Sequence, residues 1–186
     1  MTDNSTQLDN LVALQHVVRA LELRFPDHNG PFEYGTRLAE EAGELIEAAY
    51  TVKNAPPVGG QKQHLLKEMQ DVLRVAYGIA GLYGLTDKLP TSLSKFSIAD
   101  DPKDLVAYIA HIGIRSGELA NAINHAEGMG VKKEKHGGKS IEHVHAKAYA
   151  LAQVVAWMAA YFDAEAELEA QITAAYFDYK GMGFIA

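Results

Sequence analysis

Cysteine is absent from this 186-residue chain. That excludes disulfide frameworks, thiol nucleophiles and thiolate metal sites, and it accords with a reducing cytoplasm. Any ligating or reactive chemistry must come from oxygen or imidazole. Positive charge is also scarce: 17 Lys and Arg against 24 Asp and Glu leave a formal net charge of −7. Nucleic acid affinity depends on clustered cations, so no nucleic acid partner is expected. No apolar run approaches the roughly 20 residues that span a bilayer. The most apolar one, Ala148 to Phe162, is interrupted by Gln153 and reads as a buried helix that includes Trp157, Tyr161 and Phe162. The opening MTDNSTQLDN lacks the basic and apolar regions of a secretory leader, so a cytoplasmic location is expected. Nothing alternates with a strand's period of two, which leaves an all-α fold. At this length a single domain buries roughly 70% of its unfolded surface and needs no metal merely to fold.

What is present is helical periodicity. Leu8, Leu11, Val12, Leu14, Val17, Val18, Leu21 and Phe25 recur at three and four, predicting a helix over about 7–25 that Pro26 and the following DHNGP run end. A second helix is expected over about 32–54, with Tyr34, Leu38, Ala42, Leu45, Ala49 and Val52 as its stripe, before the APPVGG loop at 55–60. A third, over about 61–83, carries Leu65, Met69, Val72, Leu73, Ala76 and Ile79 and is expected to fade through the glycines at 78, 81 and 84. A short segment from Leu89 to Ile98 follows. Asp101 as cap, Pro102 in the first turn and Asp104 behind it predict the start of a helix that reaches about Glu127. The stretch 128–140, with lysines at 132, 133, 135 and 139, reads as a solvated loop, and helices over about 141–162 and 164–180 complete a bundle.

Six carboxylates crowd the second and third helices: Glu40, Glu41, Glu44 and Glu47 on one, Glu68 and Asp71 on the other. At 100° per residue, Glu41 and Glu44 stand at about 300° and 240° from Leu38, and Glu68 and Asp71 take the same two angles from Leu65. Both pairs flank their own apolar stripes, so an antiparallel hairpin brings them to one cleft. Glu47, at about 180°, faces water, and Glu40, at about 200°, is peripheral. Four carboxylates so close raise one another's pKa unless a cation compensates. An all-oxygen set suits Mg2+ or Mn2+, which polarises a phosphoryl oxygen and activates water. Arg37 reads as the only basic residue on the same face, either bridging Glu41 or Glu44 or contacting a phosphate.

Glu40-Glu41-Ala42-Gly43-Glu44, followed by Glu68-Met69-Gln70-Asp71, resembles the EExxE…ExxD signature of the MazG-like, all-α nucleoside triphosphate pyrophosphohydrolases. The resemblance is specific over 37–77 and extends more loosely to about 98. It implies Mg2+-dependent attack of water on a nucleoside triphosphate, releasing a monophosphate and pyrophosphate. It also implies metal ligation by Glu41, Glu44, Glu68 and Asp71, a catalytic part for Glu40 and Glu41, and a phosphate contact for Lys95.

The tripeptide Gly43-Glu44-Leu45 recurs as Gly117-Glu118-Leu119, and Glu142 follows Glu118 at the same interval as Glu68 follows Glu44. A bundle of two related hairpins is therefore expected: a metal-binding half over 1–98 and a degenerate half over 99–186. Ile114 and Arg115 stand where Glu40 and Glu41 stand in the first half, and His145 where Asp71 does, so one metal cage per chain is expected. The second half would complete a single-chain pseudo-dimer or pack in a homodimer. Two other readings stay open: a non-enzymatic helical module that binds metal or a partner, and a ferritin-like di-metal site built on Glu118, Glu142 and His145. His111, His125 and His136 are scattered and read as surface or hydrogen-bonded residues.

Overall fold

The computed structural model describes residues 9–52, 59–97, 101–129 and 141–186. Six helices form a bundle, with no strand among the described residues. They are α1 (Asn10–Arg24), α2 (Pro31–Thr51), α3 (Gly59–Leu82), α4 (Leu105–Ala126), α5 (Ile141–Tyr161) and α6 (Glu165–Gly181). No described helix is long and apolar enough to cross a membrane. The lysine-bearing stretch 131–140, with His136, lies outside the described residues, as do residues 53–58 and Ile98.

Cross-helix contacts fix the directions. Glu41 meets Arg74 while Glu44 approaches Lys67, so α2 and α3 run antiparallel. Tyr108 meets the Tyr161 ring edge-on while Glu118 meets Lys147, so α4 and α5 do the same. The two hairpins pack through α2 on α4 and α3 on α5. Outside them, α6 runs parallel to α1, with Asn10 beside Thr173 and His16 against Tyr176.

The expected stripes of α2 and α3 are buried, and that of α1 in part, since Val12 and Leu21 are half-buried. All six stripe residues of α2 and all six of α3 are buried, as are Leu11, Leu14, Val17 and Val18 of α1. Phe25, at the end of the α1 stripe, is exposed. Trp157 is core and donates its indole N–H to the Ser97 carbonyl at 2.7 Å. Residues from all six helices contribute to one contiguous core, with α3 at its centre. From Leu65 to Ala80 every α3 residue is buried except Lys67 and Arg74. Those two are seven residues apart, two helical turns, so α3 opens to solvent along a single line.

Two expectations are corrected. α3 does not fade at its glycines but runs through Gly78 and Gly81 to Leu82. Gly78 is small for a packing reason, because a Cβ there would lie 2.2 Å from Cε1 of Tyr34. The chain turns instead at Gly84, whose φ of 67° is the left-handed conformation glycine tolerates best. The start of α4 also falls later than Asp101 and Pro102 suggest. Lys103 has a φ of 69°, which no helix accommodates, and Asp104 is the cap, accepting from the Ala107 N–H at 2.9 Å. Asp101 accepts instead from Lys103 and from the Tyr108 hydroxyl.

Candidate metal centre

Glu41 and Glu44 project from α2 towards Glu68 and Asp71 on α3, on the line where α3 opens to solvent. Glu41, Glu44 and Glu68 each offer an oxygen, and these oxygens all lie within 4.8 Å of one another. Among the described residues they are the only group of three or more such ligand side chains. The side chain of Glu68 is fully buried, those of Glu41 and Asp71 nearly so, and Glu44 reaches solvent. Glu47 is exposed, as its angle predicts.

Two cations that the helical angles miss stand among these acids. The Lys67 ammonium lies 2.8 Å from Glu68 Oε1, 3.0 Å from Asp71 Oδ2 and 3.9 Å from Glu44 Oε2. The Arg74 guanidinium bridges the helices, 3.2 Å from Glu41 Oε1 and 3.2 Å from Asp71 Oδ1. The expectation that Arg37 alone carries positive charge on this face is therefore wrong. Relative to Leu65, Lys67 and Arg74 stand at about 200° and 180°, nominally pointing to water. Their long stems bend back along the helix so that the charged heads reach the acids. The i, i+3 spacing that pairs Glu68 with Asp71 also pairs Asp71 with Arg74, and that signal was available in the sequence.

Two cations do not balance four buried or half-buried acids. Burial pushes the Glu41 carboxyl up to about 7, helped by the nearby Asp71 charge and opposed by Arg74 and Lys67. Glu68 is also raised, first by burial and further by the neighbouring Glu44 carboxyl; Lys67 opposes the shift. With all four acids ionised and Lys67 and Arg74 charged, the cluster carries two negative charges in excess. The two Glu68 oxygens differ sharply. Oε1 contacts both Lys67 and His64 Nδ1, the latter at 3.1 Å, whereas Oε2 is buried with no hydrogen-bond partner. A buried carboxylate oxygen without a donor is costly and calls for a cation. A set of hard oxygens around such an orphan fits Mg2+ or Mn2+.

Next to the acids is a cleft of about 220 Å³ between α1, α2 and α3, bordered by Phe25, Tyr34, Arg37, Glu40, Glu41 and Arg74. Glu40 is exposed, as its angle predicts, yet it shares this cleft with Glu41. The Arg37 guanidinium lies 5.4 Å over the Tyr34 ring. Lys95 sits in a short turn before α4 and pairs with Asp9 at 3.0 Å and with Thr91.

The second hairpin arranges its residues differently. Glu118 is clasped by Arg115 at 2.8 Å and Lys147 at 3.1 Å, and these partners, Arg115 first, hold its carboxyl below the ordinary range. His145 Nε2 lies 3.1 Å from the Lys88 carbonyl. Glu118, Glu142 and His145 do not gather into a ligand group. No family model, curated protein or solved structure matches the chain.

Proposed function

We propose that the protein is a Mg2+-dependent nucleoside triphosphate pyrophosphohydrolase of the MazG-like kind, hydrolysing an NTP or dNTP to the monophosphate and pyrophosphate. The observation that carries this reading is the convergence of Glu41, Glu44 and Glu68 within 4.8 Å of one another, in a carboxylate cluster where one buried Glu68 oxygen has no hydrogen-bond partner. Glu41, Glu44, Glu68 and Asp71 hold the metal, with Mn2+ able to replace Mg2+. When bound, the ion polarises phosphoryl oxygens and offsets the charge that develops during transfer. Glu40 and Glu41, side by side at the cleft, orient the attacking water and take up its proton. Arg37, at the same cleft, contacts the phosphates, and Lys95 is a second candidate for that contact once it leaves Asp9. Tyr34 and Phe25 give the cleft apolar surface for the rest of the nucleotide. The second hairpin packs on the first through α2–α4 and α3–α5 contacts, the arrangement of a single-chain pseudo-dimer, with a homodimer as the alternative assembly.

The test is a screen of ribo-, deoxyribo- and modified nucleoside triphosphates with Mg2+, reading out pyrophosphate. Turnover is expected for at least one, and chelation should abolish it. Glu41→Gln and Asp71→Asn should each lower kcat by roughly a hundredfold or more while the helical circular dichroism persists, a typical loss when transition-state charge stabilisation is removed. Full turnover in both variants refutes the assignment. Metal binding without turnover of any triphosphate would instead establish a non-enzymatic metal-binding module.

A further inference from the structure

The Lys67 side chain is more than half exposed, yet its ammonium turns back to the acids and touches residues of both helices. Its contacts are with three of the four carboxylates assigned to the metal. An ammonium among oxygens at 2.8 and 3.0 Å has the geometry of a charge-assisted hydrogen-bonded cation. A divalent ion drawn to those same carboxylates, at the shorter distances typical of Mg2+, meets a positive charge already at its own site. Arg74 differs: it lies across Glu41 and Asp71 at one side, and its guanidinium clamps the two helices. Lys67 is tethered to α3 alone by a flexible four-carbon stem and can withdraw into solvent without disturbing the bundle.

We propose that Lys67 is the site's internal cation: its ammonium holds the ground between Glu44, Glu68 and Asp71 and is exchanged for the divalent ion when that ion binds. This rests on the metal-binding reading above and adds a regulatory term to it. Metal affinity is set by an exchange of cations rather than by filling an open cage. The metal-free bundle is kept from flying apart at its most acidic point, and weak, adventitious occupancy by abundant cations is suppressed. Once released, the ammonium stands at the mouth of the site, where an anionic ligand arrives.

The experiment is Mn2+ titration by calorimetry of the full chain, wild type against Lys67→Met and Lys67→Arg, at one pH and ionic strength. Lys67→Met is expected to bind Mn2+ about fivefold more tightly, the factor that corresponds to removing an exposed ion pair of roughly 1 kcal/mol. Lys67→Arg, which keeps the charge, is expected to show no tightening. Equal affinity in wild type and Lys67→Met, or weaker binding by Lys67→Met, overturns the exchange while leaving the metal site intact. Absence of binding in every form overturns the metal site and the exchange with it. Should Lys67→Met fail to fold, the Lys67 ammonium signal of the wild type, followed by 15N NMR during Mg2+ titration, decides. Its shift to a solvent-averaged position supports the exchange, and an unmoved signal at saturation refutes it.

Discussion

Replacing Glu41 by Gln should make the protein more stable at pH 8 and leave it nearly unchanged at pH 4. Burial lifts the Glu41 carboxyl from 4.5 to about 7 in the folded state, whereas the unfolded chain restores the ordinary value. A raised carboxyl means that the folded state holds a proton the unfolded state has already lost. Its contribution is therefore fully present below about pH 4.5 and is lost as pH rises through about 7. The shift of about 2.5 units corresponds to roughly 3 kcal/mol at most, against a total stability on the order of 5–15 kcal/mol for a domain. Gln cannot ionise, so its stability lacks this term, while it keeps much of the shape and can still accept from Arg74. Urea unfolding in the presence of chelator, at half-unit intervals from pH 4.5 to 8, isolates the effect as the difference between variant and wild type. Using the difference removes the acid-side losses shared by both proteins, such as those of Asp9, Asp101 and Glu118, whose carboxyls are lowered. The difference should grow by about 2–3 kcal/mol across this range, and saturating Mg2+ should flatten it by stabilising the wild-type carboxylate. A difference independent of pH, or one that shrinks as pH rises, would refute the account of Glu41 as a buried acid short of cations.

Gly78→Ala should destabilise by about 1–3 kcal/mol, the usual cost of overpacking, because the new methyl meets the Tyr34 ring; thermal unfolding gives the loss, and an unchanged Tm would show that Tyr34 moves aside freely. Asp104→Ala should cost about 1 kcal/mol by removing the side-chain cap on the Ala107 N–H, with Asp104→Asn close to neutral; urea midpoints check both. Glu118→Gln should leave Mn2+ affinity and pyrophosphate release unchanged, since Arg115 and Lys147 already balance that acid. A loss of metal binding in that variant would place a second ion in the α4–α5 hairpin.

Much of this arrangement could be read from residue spacing, and the limits have physical causes. The α2 stripe was legible because burial on one side leaves a 3.6-residue period, and Tyr34, Leu38 and Leu45 obey it. α3 is less regular because it is buried all round: Leu66, Val75, Tyr77 and Ala80 are as hidden as its stripe. The closeness of Glu41, Glu44 and Glu68 followed from matched angles on two helices. The cations did not, because an angle locates a Cβ and says little about the end of a lysine or arginine side chain. Lys67 begins on the solvent side and ends among the acids. The start of α4 was misplaced because the acids at 101 and 104 are both competent caps, and only the left-handed backbone at Lys103 decides between them. The cleft bordered by Phe25 and Arg37 needs α1 laid against the hairpin, a contact between elements that no local spacing encodes.

The two hairpins share an architecture and treat charge in opposite ways, which bears on where function can reside. In α4–α5 the acid at the position of Glu44 has its own arginine one turn earlier and a lysine across the interface, so Glu118 is content as an anion. Nothing there is gained by adding an ion. In α2–α3 the residue one turn before Glu44 is a further acid, Glu41, and the cations come from the solvent line of α3 and do not suffice. Glu41 and Glu68 are held partly towards protonation, and Glu68 keeps an oxygen that no donor reaches. A fold that merely needed these helices together could have used the Glu118 solution in both places. Keeping four acids at the one line where α3 meets solvent carries a standing electrostatic cost, of the order worked out above for Glu41 alone. A bound divalent cation would offset such a cost directly, and the asymmetry therefore supports the proposal of ligand chemistry in the first hairpin, with packing as the role of the second.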